Sequence, residues 1–207
     1  MHLIIGSKRF STWSLRPWIL MKELQIPFTE TVIELDQPTT HADIMKHSPS
    51  GRVPALVDSG TTIWDSMAII EYLAEKHPAV WPADKMQRAW ARSVCAEMHS
   101  GFQDLRKNLP GQFLKTGLSF PKDHQGVQSD ISRIKEIWRE GLSRWKGPFL
   151  CGQKFTAVDA MYAPVVLGRF VPYGVTIESD LKAYVDLIAA LPSAQQWAIE
   201  AASVKAA

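Results

Sequence analysis

A run of hydroxyl side chains stands at the start of the first predicted helix, where it could act on a bound thiol. Ser11, Thr12 and Ser14 follow a short apolar strand. Unpaired N–H groups and the helix dipole favour an anion at a helix N-terminus. A free thiol has a pKa of about 8.5, so few thiols are ionised at pH 7, and a hydroxyl that donates to sulfur favours the thiolate. The same residues also suit a plain helix cap in a polar loop.

A proline at the start of a predicted strand could help to hold an extended peptide. Arg52, Val53 and Pro54 lead from a polar loop into an apolar run. An X-Pro bond adopts the cis form at low cost, and a cis bond before Pro54 would turn the N–H and C=O of Val53 outward. These groups could then pair with a peptide as an added strand. The alternative is an ordinary edge-strand proline.

A third motif lies where a strand turns directly into a helix. Asp65 and Ser66 are good capping residues, which is one explanation of their presence. The helix N-terminus with the Ser66 hydroxyl could instead receive a ligand carboxylate, and Asp65 could hold an α-ammonium. A γ-glutamyl group carries both of these charges on one carbon.

The elements that position these motifs alternate in the first third of the chain. Period-2 and helical spacing predict strands over residues 2–5, 29–35, 53–57 and 61–64, and helices over residues 14–24 and 66–76. Ser14 is the predicted cap of the first helix. The order βαβ, loop, ββα favours a four-stranded sheet with parallel and antiparallel pairs.

From residue 84 onward the pattern is helical throughout. Helices are predicted over residues 84–108, 125–145, 157–170, 178–191 and 193–201, and prolines and glycines separate them. The predicted division is an α/β domain over residues 1–80 and an all-α domain over residues 84–207.

Composition narrows the function classes. The 207 residues carry a formal net charge of +2 without a clustered basic face, which argues against a nucleic-acid partner. No apolar run reaches the roughly 18 residues of a membrane span. Cys95 and Cys151 show neither CxxC nor zinc spacing, so two reduced thiols in the cytoplasm and no metal site are expected. A G-x-S-x-G hydrolase elbow is also missing.

The motifs, taken in order, resemble the cytosolic glutathione transferase family. They are the hydroxyl loop, the VPAL strand start at residues 53–56, the Asp65-Ser66 helix start followed by AIIEYL, and FTAVDA at residues 155–160. In the last of these, Thr156 and Asp159 form a capping box with Phe155 as a staple. The resemblance covers essentially the whole chain. It implies a thioredoxin-like α/β N-terminal domain followed by an all-α C-terminal helical bundle.

The hydroxyl loop is similar to the signature S-S-C-S-W-R of the zeta class, so a bacterial, serine-type member is implied. Ser11 falls on that class's activating serine, and Ser14 is the second candidate for the catalytic hydroxyl. Trp13 replaces the signature's cysteine, which argues against zeta-type isomerisation and against the cysteine-dependent omega and beta types. The four tyrosines lie far along the chain, away from this loop.

The family's binding pattern implies a role for each motif. Arg52 would meet the glycyl end of glutathione, Val53 and Pro54 the cysteinyl part, and Asp65 and Ser66 the γ-glutamyl group, with Thr12 beside the thiol. A second-substrate pocket is expected against the long helix of the C-terminal half, where it would be lined by Trp13, His99, Phe102 and Arg106. His99, Phe102 and Arg106 are spaced i, i+3, i+7, which would place them on one face of a helix. The alternative is that they form a polar stripe between the domains and do not contact a substrate.

The resemblance implies a homodimeric detoxifying transferase that uses glutathione as co-substrate and holds no permanently bound cofactor. The thiolate would attack a small hydrophobic electrophile. Two alternatives stay open: a glutathione-dependent isomerase or peroxidase, and a non-catalytic interaction module with the same fold.

Overall fold

The four strands all lie within the first third of the chain. The computed structural model describes residues 1–203. It contains β1 (His2–Gly6), β2 (Thr29–Ile33), β3 (Ala55–Asp58) and β4 (Thr61–Trp64). The sheet order is β2-β1-β3-β4, with β1 and β2 parallel and the other pairs antiparallel. The predicted mixed four-stranded sheet is therefore confirmed.

Three helices accompany the sheet: α1 (Thr12–Glu23), α2 (Thr40–Met45) and α3 (Ser66–Lys76). The prediction that Ser14 caps α1 is wrong, because the helix begins two residues earlier and Ser11 accepts a hydrogen bond from the Ser14 N–H at 3.4 Å. The short α2 was not predicted. It buries only Ile44, so it has no helical periodicity to detect.

The rest of the described chain is helical. It contains α4 (Lys85–Ser100), α5 (Gln103–Asn108), α6 (Gln125–Trp145), α7 (Ala157–Val165), α8 (Ser179–Ala190) and α9 (Pro192–Ser203). A 3-10 turn (Pro78–Val80) precedes α4, and a π-helical turn (Val166–Phe170) continues α7. This arrangement confirms the predicted α/β part followed by a helical part, whereas the domain limits 1–80 and 84–207 stay a prediction.

The prediction of one helix over residues 84–108 is wrong. Gly101 adopts an extended backbone, and Phe102 follows with a left-handed conformation at φ 60°. A Cβ added at Gly101 would lie 2.8 Å from the carbonyl oxygen of Glu97, so a larger residue does not fit without a shift. The chain changes direction here, and the i, i+3, i+7 face of His99, Phe102 and Arg106 does not form.

One apolar core runs through both parts of the chain. Trp18 of α1 packs edge-on against Trp197 of α9 with ring centroids 5.1 Å apart. The ammonium of Lys8, almost fully buried, forms ion pairs with Glu30 of β2 and Glu200 of α9. Since these contacts join the loop before α1 to the last helix, they fix the position of that loop.

The predicted capping box at the start of α7 is confirmed. Asp159 is fully buried, and its Oδ2 accepts hydrogen bonds from the N–H and hydroxyl of Thr156 at 3.0 and 3.3 Å. Its Oδ1 accepts from the Leu150 N–H at 2.9 Å. Phe155 packs edge-on against Phe149 with centroids 5.7 Å apart. Asp159 therefore anchors both α7 and the loop that precedes it.

Asp159→Ala is expected to lower the free energy of unfolding by about 3 kcal/mol, because three hydrogen bonds in the core lose their acceptor and buried N–H groups stay unpaired. Urea denaturation followed by fluorescence measures the change. Asp186→Ala, which removes an exposed carboxylate paired with Lys182 on α8, is the control and should leave the unfolding midpoint nearly unchanged. Equal effects of both substitutions would contradict the anchoring role.

Candidate functional site

A cavity of about 820 Å³ lies where the start of α1, the segment before β3, the β4–α3 junction and α4 meet. Its wall is formed by Trp13, Ile44, Ser50, Gly51, Arg52, Val53, Pro54, Trp64, Asp65, Ser66 and His99. The predicted residues that line it are Trp13, Arg52, Val53, Pro54, Asp65, Ser66 and His99. Ser11, Thr12, Ser14, Phe102 and Arg106 lie outside the lining.

The proline motif forms one wall of the cavity. The Val53-Pro54 peptide bond is cis, as the sequence allowed. Val53 precedes the first residue of β3, Ala55, which pairs with Ile4 of β1. Arg52, next to it, is exposed and lines the same wall. The motif therefore lies where a ligand chain could run beside the sheet.

Asp65 divides its two carboxylate oxygens between two tasks. Its backbone is left-handed at φ 77°, and Oδ1 accepts hydrogen bonds from the N–H groups of Met67 and Ala68 at 2.8 and 3.4 Å. Oδ2 lies 3.3 Å from Nε2 of His99. Because Oδ1 caps α3, Oδ2 is the oxygen left for a ligand cation.

Ser66, the next residue, is backed by a buried arginine. Nη1 of Arg16 donates a hydrogen bond to the Ser66 hydroxyl oxygen at 3.3 Å. Since a guanidinium has no acceptor, the hydroxyl hydrogen of Ser66 is free for a ligand acceptor. Asp65, Ser66 and the N-terminus of α3 are called the Asp65–Ser66 corner below. The corner offers a carboxylate oxygen beside a hydroxyl donor and a helix N-terminus.

Three arginines make the surroundings of this corner strongly cationic. Burial, and then the charges of Arg106 and Arg169, hold the pKa of Arg16 well below its ordinary value. Burial, followed by the charge of Arg106, lowers the pKa of Arg169 to about 10. Within residues 1–203, none of the three forms an ion pair with a carboxylate. Such a cluster favours a bound anion.

The hydroxyl loop is packed behind Trp13. Ser14 is fully buried, accepts a hydrogen bond from the Gly6 N–H at 3.0 Å and accepts another from the Ser11 hydroxyl at 2.7 Å. Thr12 accepts from Nη2 of Arg169 at 3.5 Å. Ser14 therefore holds Ser11 in place, and Arg169 contacts Thr12.

The indole of Trp13 lines the cavity and also packs against two of the arginines. The guanidinium carbons of Arg16 and Arg106 lie 4.0 and 4.8 Å from its ring centroid, and His99 meets it edge-on at 5.3 Å. Arg106 donates to the carbonyl oxygens of Met98 and Gly101, the second at 3.0 Å. Arg106 is thus held at the end of α4.

The expected second-substrate wall is only partly present. Phe102 is buried at 7% exposure in the turn between α4 and α5, and Arg106 is bonded to backbone carbonyls. His99 alone of the three helix residues lines the cavity. The reason is the break at Gly101, which turns Phe102 and Arg106 away from the face that His99 occupies.

Arg16 is the functional residue that sequence reasoning missed. Its signal was present, because a charged residue interrupts the apolar positions Leu15, Trp18 and Ile19 of α1. The contact with Ser66, fifty residues away in sequence, could not be inferred from spacing. Ile44 and Trp64 are further lining residues without a sequence signal.

The cysteines and acidic residues elsewhere offer no second reactive centre. Cys95 and Cys151 are both free and buried, and burial raises the pKa of Cys151 to about 12, which disfavours a reactive thiolate. Within residues 1–203, no group of three or more His, Cys, Asp or Glu side chains is placed to hold a metal ion. None of the helices in this part of the chain combines the length and apolar character needed to cross a membrane.

Known proteins resemble this chain in sequence. The family model for the glutathione S-transferase N-terminal domain matches residues 10–76. The chain is 30% identical to glutathione S-transferase DHAR2 of Arabidopsis thaliana over 175 aligned residues. The aligned segment covers 81% of this chain and 72% of that protein. It is 26% identical over 160 residues to a probable maleylacetoacetate isomerase of Caenorhabditis elegans, with coverage of 75% and 72%.

A solved structure shares the fold over nearly the whole length. A glutathione transferase homolog from Burkholderia gl BGR1, crystallised with bound glutathione, has a TM-score of 0.69 at 23% identity and covers 99% of this chain and 98% of its own. The chain belongs to the glutathione S-transferase family. The resemblance stated from the sequence motifs is therefore confirmed, and a glutathione-dependent enzyme is the class it defines.

Proposed function

We propose that this protein is a glutathione transferase that binds glutathione in the 820 Å³ cavity and delivers its thiolate to a small hydrophobic electrophile. The observation that carries the proposal is the Asp65–Ser66 corner. It places the Asp65 carboxylate oxygen that does not cap α3 beside a hydroxyl donor that Arg16 contacts, the pairing that an α-amino acid end requires.

The rest of the ligand follows from this anchor. The γ-glutamyl carboxylate binds Ser66 and the N-terminus of α3, and its ammonium binds Oδ2 of Asp65. The cysteinyl backbone pairs with Val53 beside Pro54, and the exposed Arg52 receives the glycyl carboxylate. This order directs the thiol towards the start of α1. Glutathione is a co-substrate here, and the chemistry needs no resident cofactor.

Activation of the thiol depends on the start of α1. We assign Ser11 as the hydroxyl that donates to sulfur when glutathione binds, which requires its hydrogen to turn from the Ser14 oxygen, 2.7 Å away, towards the ligand; Thr12 lies next to it in the chain. Each unit by which the site lowers the thiol pKa requires about 1.4 kcal/mol of preferential thiolate binding. One charge-assisted hydrogen bond and a helix N-terminus together supply roughly one to two units.

The electrophile then lies against the indole of Trp13, which His99 also contacts in an edge-on arrangement. Phe102 and Arg106 do not reach the cavity in this arrangement, so a direct contact of either with the electrophile would need the turn at Gly101 to move. Trp13 and Trp64 supply flat apolar surface, which suits a small hydrophobic substrate.

A second candidate is glutathione-dependent isomerisation, which the likeness to a probable maleylacetoacetate isomerase favours. Trp13 stands at the position of the zeta signature's cysteine and counts against it. Peroxide reduction and a non-catalytic interaction role are the remaining alternatives. A screen of electrophiles and peroxides distinguishes them from the transferase. The free, buried thiols of Cys95 and Cys151 favour a cytoplasmic location, which stays a prediction.

Glutathione is expected to bind with micromolar to low-millimolar affinity, and Asp65→Asn should weaken binding about tenfold or more, equal to about 1.4 kcal/mol, because the ammonium loses its charged partner. Isothermal titration calorimetry measures both constants. Asp84→Asn is the matched control, since Asp84 caps α4 through the Gln87 N–H at 2.8 Å but lies outside the cavity lining. Absence of binding by the folded wild-type protein would refute the transferase proposal.

Ser11→Ala is expected to raise the pKa of the bound thiol by about one unit relative to wild type, because the sulfur loses a hydrogen-bond donor. Ultraviolet absorbance of the thiolate in the complex, followed against pH, gives both values. Ser100→Ala, at the exposed end of α4, serves as control. An unchanged pKa in Ser11→Ala would transfer the role to Thr12 or to a backbone N–H.

The resemblance to the family also leads us to propose a homodimer. Light scattering at micromolar concentration should give about twice the chain mass of 23.2 kDa. A mass equal to that of one chain would refute this part of the proposal and leave the binding site untouched.

A further inference from the structure

His99 reaches across from the helical half of the chain to the Asp65–Ser66 corner. Its Nε2 lies 3.3 Å from Oδ2 of Asp65, the oxygen that does not cap α3. Both side chains line the cavity. The oxygen assigned to the ligand's ammonium therefore already has a partner, and that partner is a titratable group.

The surroundings of the imidazole of His99 favour one of the two tautomers of its neutral form. A carboxylate can only accept, so the neighbouring Oδ2 of Asp65, 3.3 Å from Nε2, favours the tautomer of neutral His99 that carries its proton on Nε2. Nδ1 is buried and has no hydrogen-bond partner among residues 1–203. The ring edge packs against the indole of Trp13 at a centroid distance of 5.3 Å. A second proton would consequently place a buried N–H at Nδ1 without an acceptor.

The charges that face His99 come from three other elements. Arg16 approaches from α1, Arg106 from α5, and Asp65 from the start of α3. Burial lowers the pKa of His99 below its ordinary value of 6.5, the two arginines lower it further, and Asp65 opposes them. The imidazole is accordingly neutral at pH 7 and becomes charged only in acid.

We propose that His99 is a positioning residue of the glutathione site: in its neutral form it holds Oδ2 of Asp65 towards the ligand's ammonium, and in its protonated form it occupies that carboxylate and excludes the ammonium. This inference rests on the proposed function. It moves His99 from the electrophile pocket to the γ-glutamyl end of the site and makes glutathione affinity depend on pH.

The sign of the pH dependence follows from charge. The ligand's carboxylates and ammonium keep their charges between about pH 5 and about pH 7.5, because their ordinary pKa values lie near or outside those limits. Protonated His99 places a positive charge beside the ammonium and competes for its partner. Binding to the neutral form releases this proton, so affinity is highest at neutral pH and falls as the pH drops below the pKa of His99, by at most tenfold per pH unit.

The test compares the affinity of S-methylglutathione, whose blocked sulfur has no proton to release, at about pH 7.5, 6.5, 5.5 and 5.0 in wild type, His99→Gln and His41→Gln. Glutamine keeps an N–H donor for Asp65 but does not titrate. His41 is the matched control because it is an exposed histidine that does not line the cavity. Calorimetry in buffers of different ionisation enthalpy counts the protons released on binding, and circular dichroism checks that each variant stays folded.

The wild-type dissociation constant is expected to rise about five- to tenfold from the highest to the lowest pH, with proton release that grows as the pH falls. His41→Gln should behave in the same way. His99→Gln should give a dissociation constant that does not change over this pH range, and no proton release on binding.

Binding with a flat pH profile in wild type, or an unchanged slope in His99→Gln, would overturn the role of His99 while leaving the glutathione site in place. No binding by folded wild type at any pH would instead refute the proposed function itself. The two failures are thus distinguishable in one series of titrations.

Discussion

The buried guanidinium of Arg16 is the constraint around which the cavity is arranged. It has one hydrogen bond, to Ser66 at 3.3 Å, and its carbon lies 4.0 Å from the ring centroid of Trp13. An unpaired charge away from water costs several kcal/mol, and guanidinium is the cation that loses its proton least readily. Arg106 and Arg169 add charge of the same sign nearby. In the proposed complex, a ligand carboxylate bound at Ser66 would offset this unfavourable interaction.

Most of the fold could be predicted because its signals are local. The short apolar run of β1, the alternation in β2 and the residues around the 58–60 turn indicated the strands, and α3 and α6 have the predicted limits. The errors lie where these local signals are weak. The six residues of α2 bury only Ile44, and Phe102 adopts a left-handed conformation after Gly101 although no proline interrupts residues 84–108.

The residues of the candidate site likewise fall into those that local motifs predicted and those that they did not. Val53, Pro54, Asp65 and Ser66 line the cavity as predicted, because each belongs to a short motif whose backbone conformation positions it directly. Arg106 was expected to face a substrate, but the turn before α5 directs it to backbone carbonyls. The pairs Arg16–Ser66 and His99–Asp65 join distant elements, so they became visible only once the helices were packed.

The ion pairs of Lys8 have a consequence for how this chain can be divided or recombined. The ammonium lies over the rings of Trp18 and Trp197, 4.7 and 5.4 Å from their centroids, and it pairs with Glu30 and Glu200. A fragment cut before the helical half would leave the lysine and Trp18 exposed on a face shaped for α9. A hybrid made by exchanging halves with a relative would need a matching tryptophan and glutamate near its C-terminus. We therefore expect the two halves to be exchanged only as one unit, although within residues 1–203 the strands all belong to the first half.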